Sequence, residues 1–444
     1  MIRGRIRRKT LTGTPEGERS RPRWFSRVYC WEGCDTRVPR SIVDPCWPMA
    51  RGVPQIPAPA RGQDAWPGRA PMKASLFAQM GYAQRHWFPA TWPVPPSYHD
   101  PAVTMQSYEE GLEECMLAEE MGFDWISCSE HHYSGNRLTP NPAVMAAAVS
   151  QRCKKVRIAL LGQLLQHHNP VRAAEEIGML DNLTGGRVIM AFLRGIPSED
   201  LPYGMNPAEG RARLFEGMDL VIKALTEPQP FSWEGRYYQF RTVSVCPRPV
   251  QQPLPPVLVA TRSDDAVRYA ASHRLGLAVS YDPLDQMARV TDKYYQWCQE
   301  AGWQPTPDQV VYRASILLAE TDRQAEHRLE ALKASGLGER GMDLRASVTR
   351  AVSAARDGKA FGPRRGDGTA GGAQGVGPAA QSRRGLLTFV GGPDTVVRQL
   401  KAFHDRCGVG VVDLGFQQPG TDHREVMQEI KLFGKEVLPR IKEF

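Results

Sequence analysis

The 444-residue sequence has no run of eighteen apolar residues, so it offers no segment long enough to cross a bilayer as a helix. It has no Cys-x-x-Cys pair either. The nine cysteines are dispersed, which argues against zinc-ribbon spacing or a disulfide framework and reads as reduced core thiols in a cytoplasmic protein. There is no Gly-x-Ser-x-Gly elbow, which argues against an α/β-hydrolase, and no internal repeat of 20–50 residues. Beyond residue 71 the chain also lacks net charge. The overall +8 is carried by residues 1–71, which hold thirteen Arg and one Lys against six acidic residues. No basic face is therefore implied for the folded part, and no nucleic-acid partner.

Residues 1–71 contain ten prolines and little apolar periodicity. This composition reads as a disordered basic leader, with translation beginning at Met72, where Met72-Lys73-Ala74-Ser75-Leu76-Phe77 opens the first strand-like run. An Arg-rich targeting leader is the alternative.

From Met72 the pattern alternates. Strand-like runs fall near 73–80, 123–130, 155–164, 187–193, 256–261, 276–280, 310–319 and 410–416. Helical patterns fall near 104–121, 140–152, 170–183, 208–225, 264–273, 283–301, 392–408 and 422–441. Eight β units, each followed by α, predict an α/β fold of the (β/α)₈ TIM-like type over 72–444, with a doubly wound sheet as competitor. Two insertions interrupt it. Residues 231–240 predict a β-hairpin turning at Glu234-Gly235, and a Gly-rich stretch after the seventh strand, 337–386, reads as a mobile lid or a disordered segment. That stretch contains a formal GxGxxG at 366–371 with neither strand before it nor helix after it, so it carries no dinucleotide reading.

Ser129-Glu130-His131-His132-Tyr133 closes the second strand run. Period-two alternation puts Trp125, Ser127, Ser129 and His131 on one face and Ile126, Cys128 and His132 on the other. A polar face opposite an apolar one suits a barrel strand whose end enters a reaction site, which places His131 in the mouth. Its alternative is a hydrogen bond to a neighbouring loop. His131-His132 and His167-His168 lack a suitably spaced carboxylate cluster, so no metal site is expected. Arg194 at the end of the fourth strand run, Arg211 in the next helix and Ser263 opening the helix after the fifth run suit a phosphate monoester. Each could equally be a surface residue or cap.

The segments Glu130-His131-His132, Asn169-Pro170-Val171-Arg172, Leu180-Asp181, Gly185-Gly186-Arg187, Arg194-Gly195 and Trp233-Glu234-Gly235-Arg236-Tyr237-Tyr238 resemble the bacterial luciferase-like flavin monooxygenases. So do Val390-Gly391-Gly392-Pro393 and Leu432-Phe433-Gly434-Lys435-Glu436-Val437-Leu438-Pro439, and the pattern is most similar to the α-type chain of alkanal monooxygenase. The resemblance implies a barrel that binds reduced FMN, supplied by a separate NAD(P)H:flavin reductase, and that oxygenates a small organic substrate with dioxygen through a hydroperoxyflavin. It also implies a homo- or heterodimer.

Carried over by position, His131 and Asp200 match catalytic residues, and Arg194, Arg211 and Ser263 match phosphate ligands. Leu161 and Gly162 match the site of a non-prolyl cis peptide beneath the flavin ring. Leu193, Ile196, Thr261 and Arg262 complete the cofactor-binding positions. Leu193 stands where light-emitting relatives carry cysteine, Ala266 replaces a phosphate-binding threonine and Arg262 replaces an acidic residue, so aldehyde-dependent light emission is not implied. A deazaflavin-dependent oxidoreductase of the same fold, a non-catalytic flavin-binding protein and a nucleic-acid-binding role for the leader are the alternatives.

Overall fold

The structure is a computed structural model and describes residues 70–84, 93–133, 137–195, 197–335, 388–418 and 421–444. The expected leader, up to residue 69, and the expected insertion at 337–386 lie outside the described residues.

Eight parallel strands close a barrel. They are β1 (Lys73–Phe77), β2 (Trp125–Cys128), β3 (Arg157–Gln163), β4 (Val188–Phe192), β7 (Val257–Ala260), β8 (Gly276–Ser280), β9 (Val310–Leu318) and β11 (Val411–Gly415). Pairing of β8 with β9, from Leu277 opposite Val310 to Ser280 opposite Arg313, completes the ring. Alternation then sorts the side chains. Trp125, Ala159, Leu161, Ile189, Ala191, Leu258, Ala278, Val311 and Val411 fill the interior, while Ile126, Cys128, Ile158, Leu160 and Met190 turn outward into the core beneath the helices.

Above this apolar layer the interior becomes polar. Buried Asp413 accepts from Ser75 Oγ at 2.7 Å, Ser127 Oγ at 2.8 Å and Arg313 Nε at 2.5 Å. The Arg313 guanidinium lies 3.8 Å from the centroid of the Phe77 ring. This pair ties β1, β2, β9 and β11 together. Removing one charge and stranding the other would cost about 3–5 kcal/mol.

Helices α1 (Pro101–Glu120), α2 (Pro142–Arg152) and α3 (Pro170–Thr184) start alike. Asp100, Asn141 and Asn169 each accept a first-turn N–H, and proline follows at the first helical position, where its missing N–H costs nothing. Next come α4 (Gly210–Thr226), α5 (Asp264–Ser272) and α6 (Leu284–Glu300), close to their expected places.

Four details differ from the sequence reading. Helix α7 (Asp322–Ser335) follows β9 directly; it buries only Ala325, so it has no apolar stripe to betray it. A ninth sheet strand, β10 (Thr388–Gly391), pairs with β9 beyond the point where β8 stops, and four residues are too few to show alternation. It leads into α8 (Pro393–Cys407). The expected 422–441 helix is α9 (His423–Leu432), a π turn (Phe433–Val437) and a short α10 (Leu438–Ile441); Pro439 lacks the N–H that a continuous helix would use. Finally, the hairpin of β5 (Phe231–Glu234) and β6 (Gln239–Val243) turns through Gly235–Tyr238, not at Glu234-Gly235. The wider turn is held from outside. Glu216 of α4 accepts from Trp233 Nε1 at 3.3 Å, Tyr237 N at 3.0 Å and Tyr238 N at 2.9 Å.

No helix among the described residues is long and apolar enough to cross a membrane.

Candidate functional site

Strand β2 ends at Cys128, so strict alternation stops before the histidine pair. His131 nevertheless emerges at the C-terminal end of the barrel with its side chain 19% exposed. Its Nε2 lies 2.8 Å from Nη1 of Arg137, its Nδ1 lies 3.9 Å from Oε1 of Glu199, and its backbone N–H donates to Thr139 O at 3.0 Å. His132 departs from the expected packing against the helices. Once the strand has ended its ring is free of the period-two rule, and it turns into a buried polar network.

Glu130 is the hub of that network. Its carboxylate accepts from His132 Nε2 at 2.8 Å, His168 Nε2 at 2.9 Å and the Leu164 amide at 3.0 Å. Burial alone would raise its pKa, but the hydrogen bonds from the two imidazoles and the amide outweigh it and hold the group at about 2. The same contact, acting against burial, lifts His168 above the usual imidazole value. His167 and His168 leave a 3₁₀ turn (Leu165–His167) toward different partners, and His167 Nε2 meets Asp200 Oδ1 at 2.8 Å. Tyr203 stacks on His167 with ring centroids 5.0 Å apart and meets His132 edge-on at 4.9 Å. Asp200 is thus committed to His167, and the carboxylate facing His131 is its neighbour, Glu199. The sequence held one signal for this: consecutive acids on one short segment opposite two histidine pairs.

Beside His131, β3 and β4 shift register between Leu161 and Gln163, leaving Gly162 at φ +134°. A Cβ there would sit 3.1 Å from Leu193 Cδ2 and 3.1 Å from Ser129 Cβ. The backbone there packs closely against Leu193 and Ser129, in a conformation that glycine adopts most readily. The expected cis peptide is not present at Leu161–Gly162; cis bonds among the described residues precede Pro247 and Pro253. Here the bulge, rather than the peptide's isomer, breaks the strand. Three buried oxygens at or just past strand ends, Gln79 Oε1, Ser129 Oγ and Gln163 Oε1, have no hydrogen-bond partner among the described residues. Buried polar atoms without partners are uncommon, and these suit a polar ligand at the barrel mouth.

The predicted phosphate residues converge on the N-terminal ends of α4 and α5. Arg194 packs its Cγ and Cδ near Gly210, the first residue of α4, where a Cβ would be 3.8 Å away. Arg211 reaches across to Asp265 of α5. Ser263 precedes α5 without capping it; its hydroxyl lies 3.2 Å from Thr261 Oγ1. Arg262 is paired with buried Asp282 at 2.7 Å, which compensates the cation rather than presenting it freely. Ile196 lies outside the described residues. Arg211, two hydroxyls and the start of α5 lie together here, with the Arg194 stem beside the start of α4; helix N-termini favour anions, while Asp264 and Asp265 in the first turn of α5 are counter-charges.

The family model for luciferase-like monooxygenases matches residues 88–409. Similar proteins include the oxygenase component of a flavin-dependent trigonelline monooxygenase from Acinetobacter baylyi, 30% identical over 42% of this chain and 51% of its own length. The alkanal monooxygenase alpha chain of Photorhabdus luminescens is 29% identical over 42% of this chain and 52% of its own. The chain's match thus spans about half the length of these relatives. Among solved structures, the oxygenating constituent of 3,6-diketocamphane monooxygenase from Pseudomonas putida, in complex with FMN, superposes with a TM-score of 0.62 at 20% identity, covering 83% of this chain and 98% of that one. An F420-dependent secondary alcohol dehydrogenase superposes with a TM-score of 0.59 at 15% identity, covering 84% and 99%. The two structural likenesses bear on the barrel alone. The family match extends over well more than half of the chain and takes in the ends of β2, β3, β4, β7, β8 and β9, and on that ground the chain belongs to the luciferase-like monooxygenase family.

Proposed function

We propose that this barrel is the oxygenase of a flavin-dependent monooxygenase, taking FMN in its reduced form from a separate NAD(P)H:flavin reductase and oxygenating a small organic substrate. The observation that carries this reading is the arginine- and hydroxyl-bearing corner at the starts of α4 and α5, which suits a phosphate monoester. Gly162, at φ +134° in the β3–β4 bulge, has no side chain of its own to stand between the backbone and a flat ring.

In this reading Gly162, Leu161 and Leu193 would support the ring, while Arg194, Arg211, Thr261 and Ser263 would hold the phosphate. The reduced flavin, when bound, supplies the electrons that activate dioxygen. The protein's task is to orient it, exclude water and manage protons. His131 is the group that faces the mouth. Glu130, His132 and His168 keep the surrounding backbone rigid, and Asp200 steadies the segment Pro197–Tyr203 through His167.

A separate reductase is supported by the relative named as an oxygenase component. Dimerisation, as homo- or heterodimer, draws support from the alpha- and beta-chain naming of relatives. The deazaflavin alternative draws on the F420-dependent neighbour. One experiment separates them. Purified protein is given reduced FMN, oxygen and a panel of aldehydes, ketones and terpenes, and products are read by mass spectrometry. Incorporation of labelled dioxygen into product supports the proposal; anaerobic turnover with reduced deazaflavin and none with reduced FMN overturns it.

A further inference from the structure

We propose that Arg137 is the positioning residue for His131, fixing it as the neutral tautomer with its proton on Nδ1, so that the cation at this edge of the mouth is a guanidinium and not an imidazolium.

The geometry admits little else. Arg137 Nη1 lies 2.8 Å from His131 Nε2. A guanidinium has N–H donors only and stays charged, so the ring nitrogen facing it must present its lone pair. The single proton of a neutral ring then sits on Nδ1. That nitrogen is 3.9 Å from Oε1 of Glu199, a buried carboxylate whose other oxygen accepts from His132 N at 3.2 Å. Arg137 thus meets one edge of the ring and Glu199 the other, from the loop after β2 and from the 3₁₀ segment Pro197–Tyr203. Among the other charges nearby, Glu130 is engaged by His132 and His168, and Arg313 stacks on Phe77. Phe77 also carries Arg137, whose guanidinium carbon is 5.6 Å from the ring centroid. Its face therefore anchors the positioning residue from below.

The consequence for chemistry is specific. In this arrangement His131 offers a hydrogen bond from Nδ1, and it accepts a proton at Nε2 only when Arg137 withdraws. Negative charge developing on oxygen at the mouth would be met by Arg137. This consequence rests on the proposed oxygenase reading; the tautomer does not.

The test uses the full chain labelled with ¹⁵N-histidine, with the His131 resonances assigned by their loss in His131→Gln. Long-range proton–nitrogen correlations report which ring nitrogen is protonated. The wild type is expected to show Nδ1–H and an unprotonated Nε2 from pH 6 to 8. Arg137→Lys, which keeps donor and charge, is expected to retain that pattern, and Arg137→Met to lose it to the Nε2–H or doubly protonated form. An Nε2–H or doubly protonated ring in the wild type overturns the proposal, even if Arg137→Met fails to fold. A wild-type pattern in folded Arg137→Met overturns it as well. In the turnover assay, Arg137→Met is expected to lower product by about 10²-fold, with partial recovery in Arg137→Lys. If the tautomer is as expected and no oxygenation occurs with the wild type, the oxygenase reading fails and the tautomer assignment stands.

Discussion

Arg211, in the first turn of α4, donates its Nη1 to Asp265, in the first turn of α5. Both side chains are more than two-fifths exposed, so the pair itself contributes only about 0–1 kcal/mol. A phosphate dianion would compete well for the same guanidinium. Asp265→Asn should therefore tighten FMN binding by a few-fold. Arg194→Ala should weaken it about 10–150-fold, as expected for loss of a charge-assisted hydrogen bond of about 1.5–3 kcal/mol. Riboflavin lacks the phosphate and should be indifferent to both changes. Titration calorimetry with the two ligands checks this, and equal losses for both would make Arg194 a structural residue.

The histidine pair makes a second contrast. His131→Ala should leave reduced-FMN affinity within a few-fold while lowering product by about 10²–10⁴, with hydrogen peroxide rising as oxygen reduction uncouples. His132→Ala should act on stability, by about 1–3 kcal/mol, because it removes a donor from buried Glu130. Product, peroxide and melting temperature, measured for both variants, decide between the roles; unimpaired coupling in His131→Ala would remove His131 from the chemistry.

Gly162 tests the close packing at the β3–β4 bulge. At φ +134° an added methyl group meets both Leu193 and Ser129, so Gly162→Ala should cost about 1–3 kcal/mol in denaturant unfolding and weaken flavin binding. Normal stability and normal affinity together would show that nothing needs to approach this backbone closely.

His423 gives a pH signature at the contact between α9 and α1. Its hydrogen bond to Glu114 raises its pKa to about 9 despite partial burial, and Glu113 adds to the effect. A histidine raised in the fold adds stability that is fully present below its unfolded value of about 6.5 and is lost as pH climbs through about 9. His423→Gln should therefore lower the melting temperature most at pH 6 and scarcely at pH 10. A penalty that does not change with pH would mean that packing, not charge, joins α9 to α1 here.

Much of the barrel was legible because its strands obey one rule. Trp125 and Ser127 face inward and Ile126 and Cys128 outward, as alternation requires. The rule failed where regular structure stops. His132 lies four residues past the end of β2, Gly162 sits in a bulge, and the hairpin turn is shaped by Glu216, a residue on a different element. Helix α7 escaped notice because only Ala325 of its residues is buried.

The sequence by itself determined the number and order of the barrel strands, the placement of the net charge within residues 1–71 and the family, since all three are local pattern or composition. Tertiary structure alone decided the partnerships at the mouth. It set Glu199 rather than Asp200 against His131, gave Asp200 to His167 and joined Arg211 to Asp265. The reason is distance along the chain. Glu199 and His131 are separated by 68 positions, and nothing in either neighbourhood encodes the other. Only the parallel pairing of β2 with β3 and of β3 with β4 brings their ends within reach of one another, and a hydrogen bond depends on tenths of an ångström that no periodicity carries.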